Sequence, residues 1–121
     1  MKILHIEDVP EISKIFADIL ATKNYDFDSI SDGKVGLELA VNKDYDLILL
    51  DMCMPKYSGV DFLLDLKSRR PSELSKVVVV SALEMNQLQE QELLNLGIRN
   101  ILRKPISVQA LLAQVEQEIA F

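Results

Sequence analysis

Cysteine occurs once in this 121-residue chain, tryptophan not at all, and glycine and proline four times each. One cysteine excludes an internal disulfide, so Cys53 is expected to be a reduced thiol in a cytoplasmic protein. So little glycine and proline excludes fibrous and low-complexity architectures. No apolar run approaches the ~18 residues that cross a bilayer. Met1 leads directly into a strand-like segment, so neither a signal peptide nor a membrane partner is expected. Basic residues are outnumbered, 13 Lys and Arg against 19 Asp and Glu, for a net charge of −6. That balance argues against nucleic acid as a direct partner, because a phosphate backbone needs a basic face. What remains is globular composition, 49% apolar and 26% charged, with no internal repeat or linker. It is read as one domain over residues 1–121, long enough to bury its own core.

Two hydrophobic periods alternate along the chain. Residues 2–6 read as a strand, and residues 10–22 place Ile12, Ile15, Phe16, Ile19 and Leu20 on one helical face. Tyr25 to Ile30 is a weaker strand suited to a sheet edge, Ser31-Asp32-Gly33 a turn, and residues 34–42 a short helix. Asp46 to Leu50 is the third strand, and a loop through Ser58-Gly59 opens a helix at 60–69 that Pro71 ends. Val77 to Val80 is β-branched throughout and too apolar for an edge. A helix at 84–96 stops at Gly97, Ile98 to Arg103 forms the fifth strand, and Ser107 caps a last helix. Five strands alternating with five helices predict an α/β fold, a doubly wound five-stranded parallel sheet covered on both faces.

Chemistry concentrates where strands end. Asp51 follows the apolar run Leu47-Ile48-Leu49-Leu50, Glu7-Asp8 follows the first strand, and Lys104-Pro105 follows the fifth. In strand order 2-1-3-4-5 the first and third strands are neighbours at the switch point, so Glu7, Asp8 and Asp51 are expected to share one crevice. Carboxylates that close need a proton or a cation. A few hard oxygen ligands suit Mg²⁺ shared with a phosphate. Lys104 adds a point charge for a phosphate oxygen and Ser81 a hydroxyl at the same edge. The set fits in-line attack of an Asp51 oxygen on phosphorus, giving an acyl phosphate.

These residues resemble the receiver domain of bacterial and archaeal two-component response regulators, close in kind to chemotaxis regulators. The matching pieces are Glu7-Asp8, Asp46-Leu-Ile-Leu-Leu-Asp51-Met-Cys-Met-Pro55, Gly59, Ser81-Ala82 and Lys104-Pro105, over essentially the whole chain. The resemblance implies a (βα)5 flavodoxin-like fold and a signalling phosphoacceptor rather than an enzyme with external turnover. Asp51 would take its phosphoryl group from a sensor histidine kinase or a histidine phosphotransfer protein. Mg²⁺, with Mn²⁺ as a substitute, would be held by Asp8, Asp51 and the Cys53 backbone carbonyl, with Glu7 acting through water. Ser81, the Ala82 backbone and Lys104 would contact the phosphoryl group, and Lys104-Pro105 is a candidate cis-peptide turn. Ser81 and the residue three before the lysine form the family's switch. That residue is usually aromatic but here is Ile101, so the signal would pass by aliphatic repacking. The face of the fourth helix, fifth strand and fifth helix would serve a homodimer or an output partner. Cys53 and Leu83 would flank the route of hydrolytic water, and neither orients water well, so a long-lived phosphoryl group is expected.

Other readings compete. A phosphatase with an aspartyl nucleophile on a similar fold usually wants a second acid two residues on, where this chain has Cys53. A nucleotide or flavin binder needs a glycine-rich first turn, where this chain has Glu7-Asp8-Val9-Pro10. A docking domain that never takes phosphate would not require the complete acidic set. His5 is read as a core histidine, Cys53 as rim packing, and the Glu and Gln residues of 84–92 as a solvated helix face.

Overall fold

A computed structural model describes residues 1–23, 25–54, 56–82, 85–104 and 107–119. The elements are β1 (Lys2–Ile6), α1 (Pro10–Ala21), β2 (Asp26–Ile30), α2 (Gly33–Asn42), β3 (Leu47–Asp51), α3 (Gly59–Arg69), β4 (Val77–Ser81), α4 (Gln87–Asn95), β5 (Asn100–Arg103) and α5 (Val108–Ile119). All strand pairs are parallel and the order is β2-β1-β3-β4-β5, the doubly wound topology expected of this alternation. No helix among the described residues is long and apolar enough to cross a membrane.

The pleat divides each central strand between two cores. Ile3, Leu47, Leu49, Val78 and Val80 face one side, where Phe16 and Leu20 of α1 and Leu111 and Val115 of α5 cover them. Leu4, Ile6, Ile48, Leu50, Val77 and Val79 face the other side, under Leu37 of α2, Phe62, Leu63 and Leu66 of α3, and Leu93 of α4. Each such side chain contributes about 1.5–3 kcal/mol by leaving water, which is why the central strands are apolar on both faces. His5 is buried on the α1 side with its ring stacked on Phe16 at 4.5 Å, the core role expected of it.

Four details differ from the sequence reading. Asp32 is not simply part of a turn: its carboxylate accepts the Lys34 N–H at 2.9 Å and caps α2. Pro71 follows the end of α3 as expected, but it also begins a 3₁₀ helix, Pro71–Lys76, which the sequence pattern did not announce. Proline fits there because the first turn needs no amide donor. α4 starts at Gln87 rather than 84, because Asn86 and Gln89 form a reciprocal capping box. β5 starts at Asn100 rather than Ile98; Ile98 is buried, but the Arg99 N–H already reaches Val77 O at 2.8 Å outside the ladder. Gly97 does close α4, at φ +105°, a conformation that an L side chain resists.

Candidate functional site

The C-terminal edge of the sheet carries the acids. Ile6 lies beside Leu50, so the residues that follow β1 and end β3 emerge next to each other. Carboxylate oxygens of Glu7, Asp8 and Asp51 lie within 4.8 Å of one another. The Glu7 N–H is tied to Ile30 O at 3.0 Å, and the Ser13 hydroxyl donates to Glu7 O at 3.2 Å, so α1 and β2 both fix the acidic turn. The Cys53 N–H donates to Asp51 Oδ1 at 3.1 Å, which orients that carboxylate.

Lys104 enters from β5. Its N–H donates to Ser81 O at 2.8 Å, joining the two strand ends. Its Nζ lies 2.9 Å from Glu7 Oε2 and 3.5 Å from Asp51 Oδ1. One ammonium therefore serves two of the three carboxylates. Glu7 and Asp51 are 1% and 3% exposed, so water contributes little to their solvation. Burial pushes the Glu7 carboxyl up from its ordinary value; the Lys104 hydrogen bond pulls it down, and the charge of Asp51 raises it again. Burial, helped by Lys104 and opposed by Asp51, lowers the His5 imidazole to about 4, so it is neutral at pH 7.

Two buried oxygens, Glu7 Oε1 and Asp8 Oδ1, have no hydrogen-bond partner. Orphaned buried anionic oxygens beside a third carboxylate are the donor set of a hard divalent cation, and the residues present fit one.

Ser81 ends β4, buried beside Arg103 in the ladder, and Ala82 is exposed immediately after it. The Cys53 side chain is exposed at the rim, while its amide does the orienting. Ile101 sits opposite Val79, half-buried, and packs against the α2–α4 core rather than reaching the carboxylates. Pro55, Leu83 and Pro105, and with them the cis-turn and water-route expectations, lie outside the described residues. A cavity of about 440 Å³ beside Asp8, bordered by Asp32, Lys34, Lys56 and Tyr57, had no counterpart in the sequence reading. Its lining comes from three separate segments, the turn after β1, the start of α2 and the loop before α3, so no local motif signals it.

Gly59 holds the loop after β3 down. Its N–H donates to Met52 O at 3.2 Å, and a Cβ there would meet Met52 Cα at 2.7 Å and Asp51 O at 3.1 Å. Those are backbone atoms, so the loop itself must move. Gly59→Ala is expected to cost about 1–3 kcal/mol in urea unfolding and to weaken divalent binding; coincident unfolding curves would refute the tight approach.

Glu7 sets a pH dependence. A carboxyl raised in the folded state stabilises most when protonated and loses that contribution as pH rises through its folded value. Glu7→Gln is therefore expected to melt higher than wild type at pH 8 in chelator, with the gain shrinking as pH falls. Neutral His5 works the other way, losing stability from about pH 6.5 down toward about 4, but it is common to both proteins and drops out of the difference. Excess Mg²⁺ should narrow or reverse the gain by binding wild type more tightly. A variant less stable than wild type at pH 8 would contradict this account.

A doubly wound parallel sheet with three acids and a lysine at its C-terminal edge is the architecture of a receiver. The sequence matches the response regulator receiver domain family over residues 3–116, and the chain belongs to that family. It is 31% identical over 114 residues to the response regulator ArlR of Staphylococcus saprophyticus, covering 94% of this chain and 50% of ArlR. It is 36% identical over 119 residues to the aerobic respiration control sensor protein ArcB of Escherichia coli, covering 97% of this chain and 15% of ArcB. The chain thus spans half the length of one of these relatives and about a seventh of the other. The receiver domain of a Pseudomonas aeruginosa sensor histidine kinase shares the fold at a TM-score of 0.84 and 21% identity, over 99% of this chain and 98% of that one. That neighbour has a magnesium ion coordinated in its active-site cleft.

Proposed function

We propose that this domain is the phosphoacceptor module of a two-component pathway, taking a phosphoryl group on Asp51 from the phosphohistidine of a sensor kinase or a histidine phosphotransfer protein. The observation that carries this reading is the convergence of Glu7, Asp8 and Asp51, the first and last paired with Lys104, with two buried oxygens left unpartnered. Asp8, Asp51 and the Cys53 carbonyl would hold Mg²⁺, or Mn²⁺ in its place, with Glu7 acting through water. The metal supplies charge neutralisation for the phosphoryl oxygens.

The rest of the work falls to the chain. Asp51, oriented by the Cys53 amide, offers the nucleophilic oxygen. Lys104 would leave its Glu7 partner for a phosphoryl oxygen, and the Ser81 hydroxyl and Ala82 amide would hold the remaining ones. Movement of Ser81 would free space near Ile101, which would repack against the α4 side and alter the surface of α4, β5 and α5. That surface is the proposed site of a homodimer or output partner. The chemistry stays within the domain, and a cytoplasmic setting accords with a kinase donor. Cys53 stands two residues after Asp51, where an aspartyl phosphatase would carry its general acid, and this disfavours that reading.

Incubation with Mg²⁺ and phosphoramidate should add about 80 Da, one phosphoryl group, to the intact chain, mapping to Asp51. No adduct, or one on another residue, would refute the proposal. Decay of that adduct should be slow, and Leu83→Asn should hasten it; decay unchanged in the variant would count against a water route past residue 83.

A further inference from the structure

We propose that the cavity beside Asp8 receives the leaving group of a small acyl phosphate donor, held by the ammonium groups of Lys34 and Lys56. This rests on the reading of Asp51 as phosphoacceptor and adds to it two residues that would set the preference among small donors. The cavity, about 440 Å³, borders Asp8, whose carboxylate belongs to the same 4.8 Å cluster as Asp51. It is large enough for a donor of a few heavy atoms and open to solvent at both lysines.

Charge explains why lysines matter there. The chain carries a net −6, and three acids guard the site, so a dianionic donor is repelled on approach. Lys34 and Lys56 line the cavity, and neither has an ion-pair partner among the described residues. Asp32, one of the two acids in the lining, is engaged with the amides of Lys34 and Val35 at 2.9 and 3.4 Å. Lys34 Nζ lies 5.9 Å from the centre of the Tyr57 ring, and Asp65 fixes the Tyr57 hydroxyl, so that ring gives the ammonium a resting place on the cavity wall.

Lys56 adds an independent sign. It is the one non-glycine residue at positive φ, +69°, among the described residues. Asparagine or glycine adopts that conformation more readily, yet the loop keeps a long cation there, at the cavity rim.

The reaction makes use of that charge. As an Asp51 oxygen bonds to phosphorus, the bond from phosphorus to the acyl oxygen breaks, and the electron pair departs on a carboxylate; no proton is required. Negative charge develops on the leaving group, where two ammonium groups stabilise it. A phosphoramidate donor instead leaves as neutral ammonia and gains nothing from them at that step.

The test compares initial rates of phosphoryl uptake from acetyl phosphate and from phosphoramidate, with Mg²⁺ at low salt, by intact mass. Lys34→Ala and Lys56→Asn are each expected to slow uptake from acetyl phosphate about fivefold, the two effects compounding, and uptake from phosphoramidate less than about twofold. Raising salt to about 0.5 M should shrink the difference. Lys56→Asn suits the left-handed backbone, so poor folding does not explain its loss. Lys23→Ala, which removes the same charge far from the cavity at the Glu116 pair, should leave both rates unchanged. Equal slowing with both donors, or a double variant as fast as wild type, overturns the inference. A wild-type chain labelled by neither donor overturns the phosphoacceptor reading instead, and the two failures are distinguishable.

Discussion

Asp51→Asn is expected to lower phosphoryl uptake by about a thousandfold or more while leaving the fold intact. An amide keeps the shape of the side chain and an oxygen for the Cys53 N–H, now 3.1 Å from Oδ1, but it has no anionic oxygen to attack phosphorus. The same change removes one of three crowded negative charges, so the variant should melt no lower than wild type in chelator. The two readouts separate loss of the nucleophile from loss of structure. Intact mass spectrometry after incubation with phosphoramidate and Mg²⁺ checks the first, and thermal unfolding by circular dichroism checks the second. An adduct persisting on the variant, at Glu7 or Asp8 for example, would show that the acids exchange roles and that Asp51 is not the acceptor.

The core of the fold was legible because the central strands have no polar face. Leu47 to Leu50 and Val77 to Val80 are buried without exception, and no other arrangement of so many apolar residues in a row suits a chain without a membrane-length run. The acids were legible for a related reason: a charge directly after such a run must leave the sheet where the strand does. Lys104 followed the same logic from β5.

What escaped notice depended on contacts between distant segments or on competition between weak local signals. α4 has a faint apolar stripe, with Leu93 buried but Leu88 and Leu94 exposed, so hydrophobic spacing could not find its start. The Asn86–Gln89 capping box could have done so. Ile98 looks like strand because it is apolar, yet its burial comes from packing on the α3–α4 side rather than from ladder pairing. Nothing in the sequence around Arg70 announces its role. In the structure it donates to Ala40 O, Val41 O and Lys43 O and pairs with Asp44 and Glu73, capping α2 from thirty residues away. The cavity of Lys34 and Lys56 belongs to the same class, since Asp8, the start of α2 and the loop before α3 meet only after folding.

Lys104→Met is expected to destabilise the domain by about 3 kcal/mol at pH 8 in chelator, lowering the melting temperature by about 10 °C. Methionine matches the length of the lysine stem, so packing changes little and the loss is electrostatic. Without the ammonium, now 2.9 Å from Glu7 and 3.5 Å from Asp51, both buried carboxylates lose their shared counter-ion. Glu7, already raised by burial, rises further, because the group that pulled it down is gone. Protonation bounds the penalty: every unit by which the pH exceeds the carboxyl's folded value costs about 1.4 kcal/mol, so the cost grows with pH and fades on acidification. Mg²⁺ can replace the missing charge at the orphaned oxygens, and it should therefore raise the melting temperature of the variant more than that of wild type. Phosphoryl uptake should fall as well, but the stability readout is the sharper one, since it needs no donor and tests the charge balance directly. Equal melting of the two proteins at pH 8 without metal would mean that Glu7 and Asp51 are solvated well enough to do without Lys104, and that their burial beside Asp8 does not create the cation demand on which the site depends.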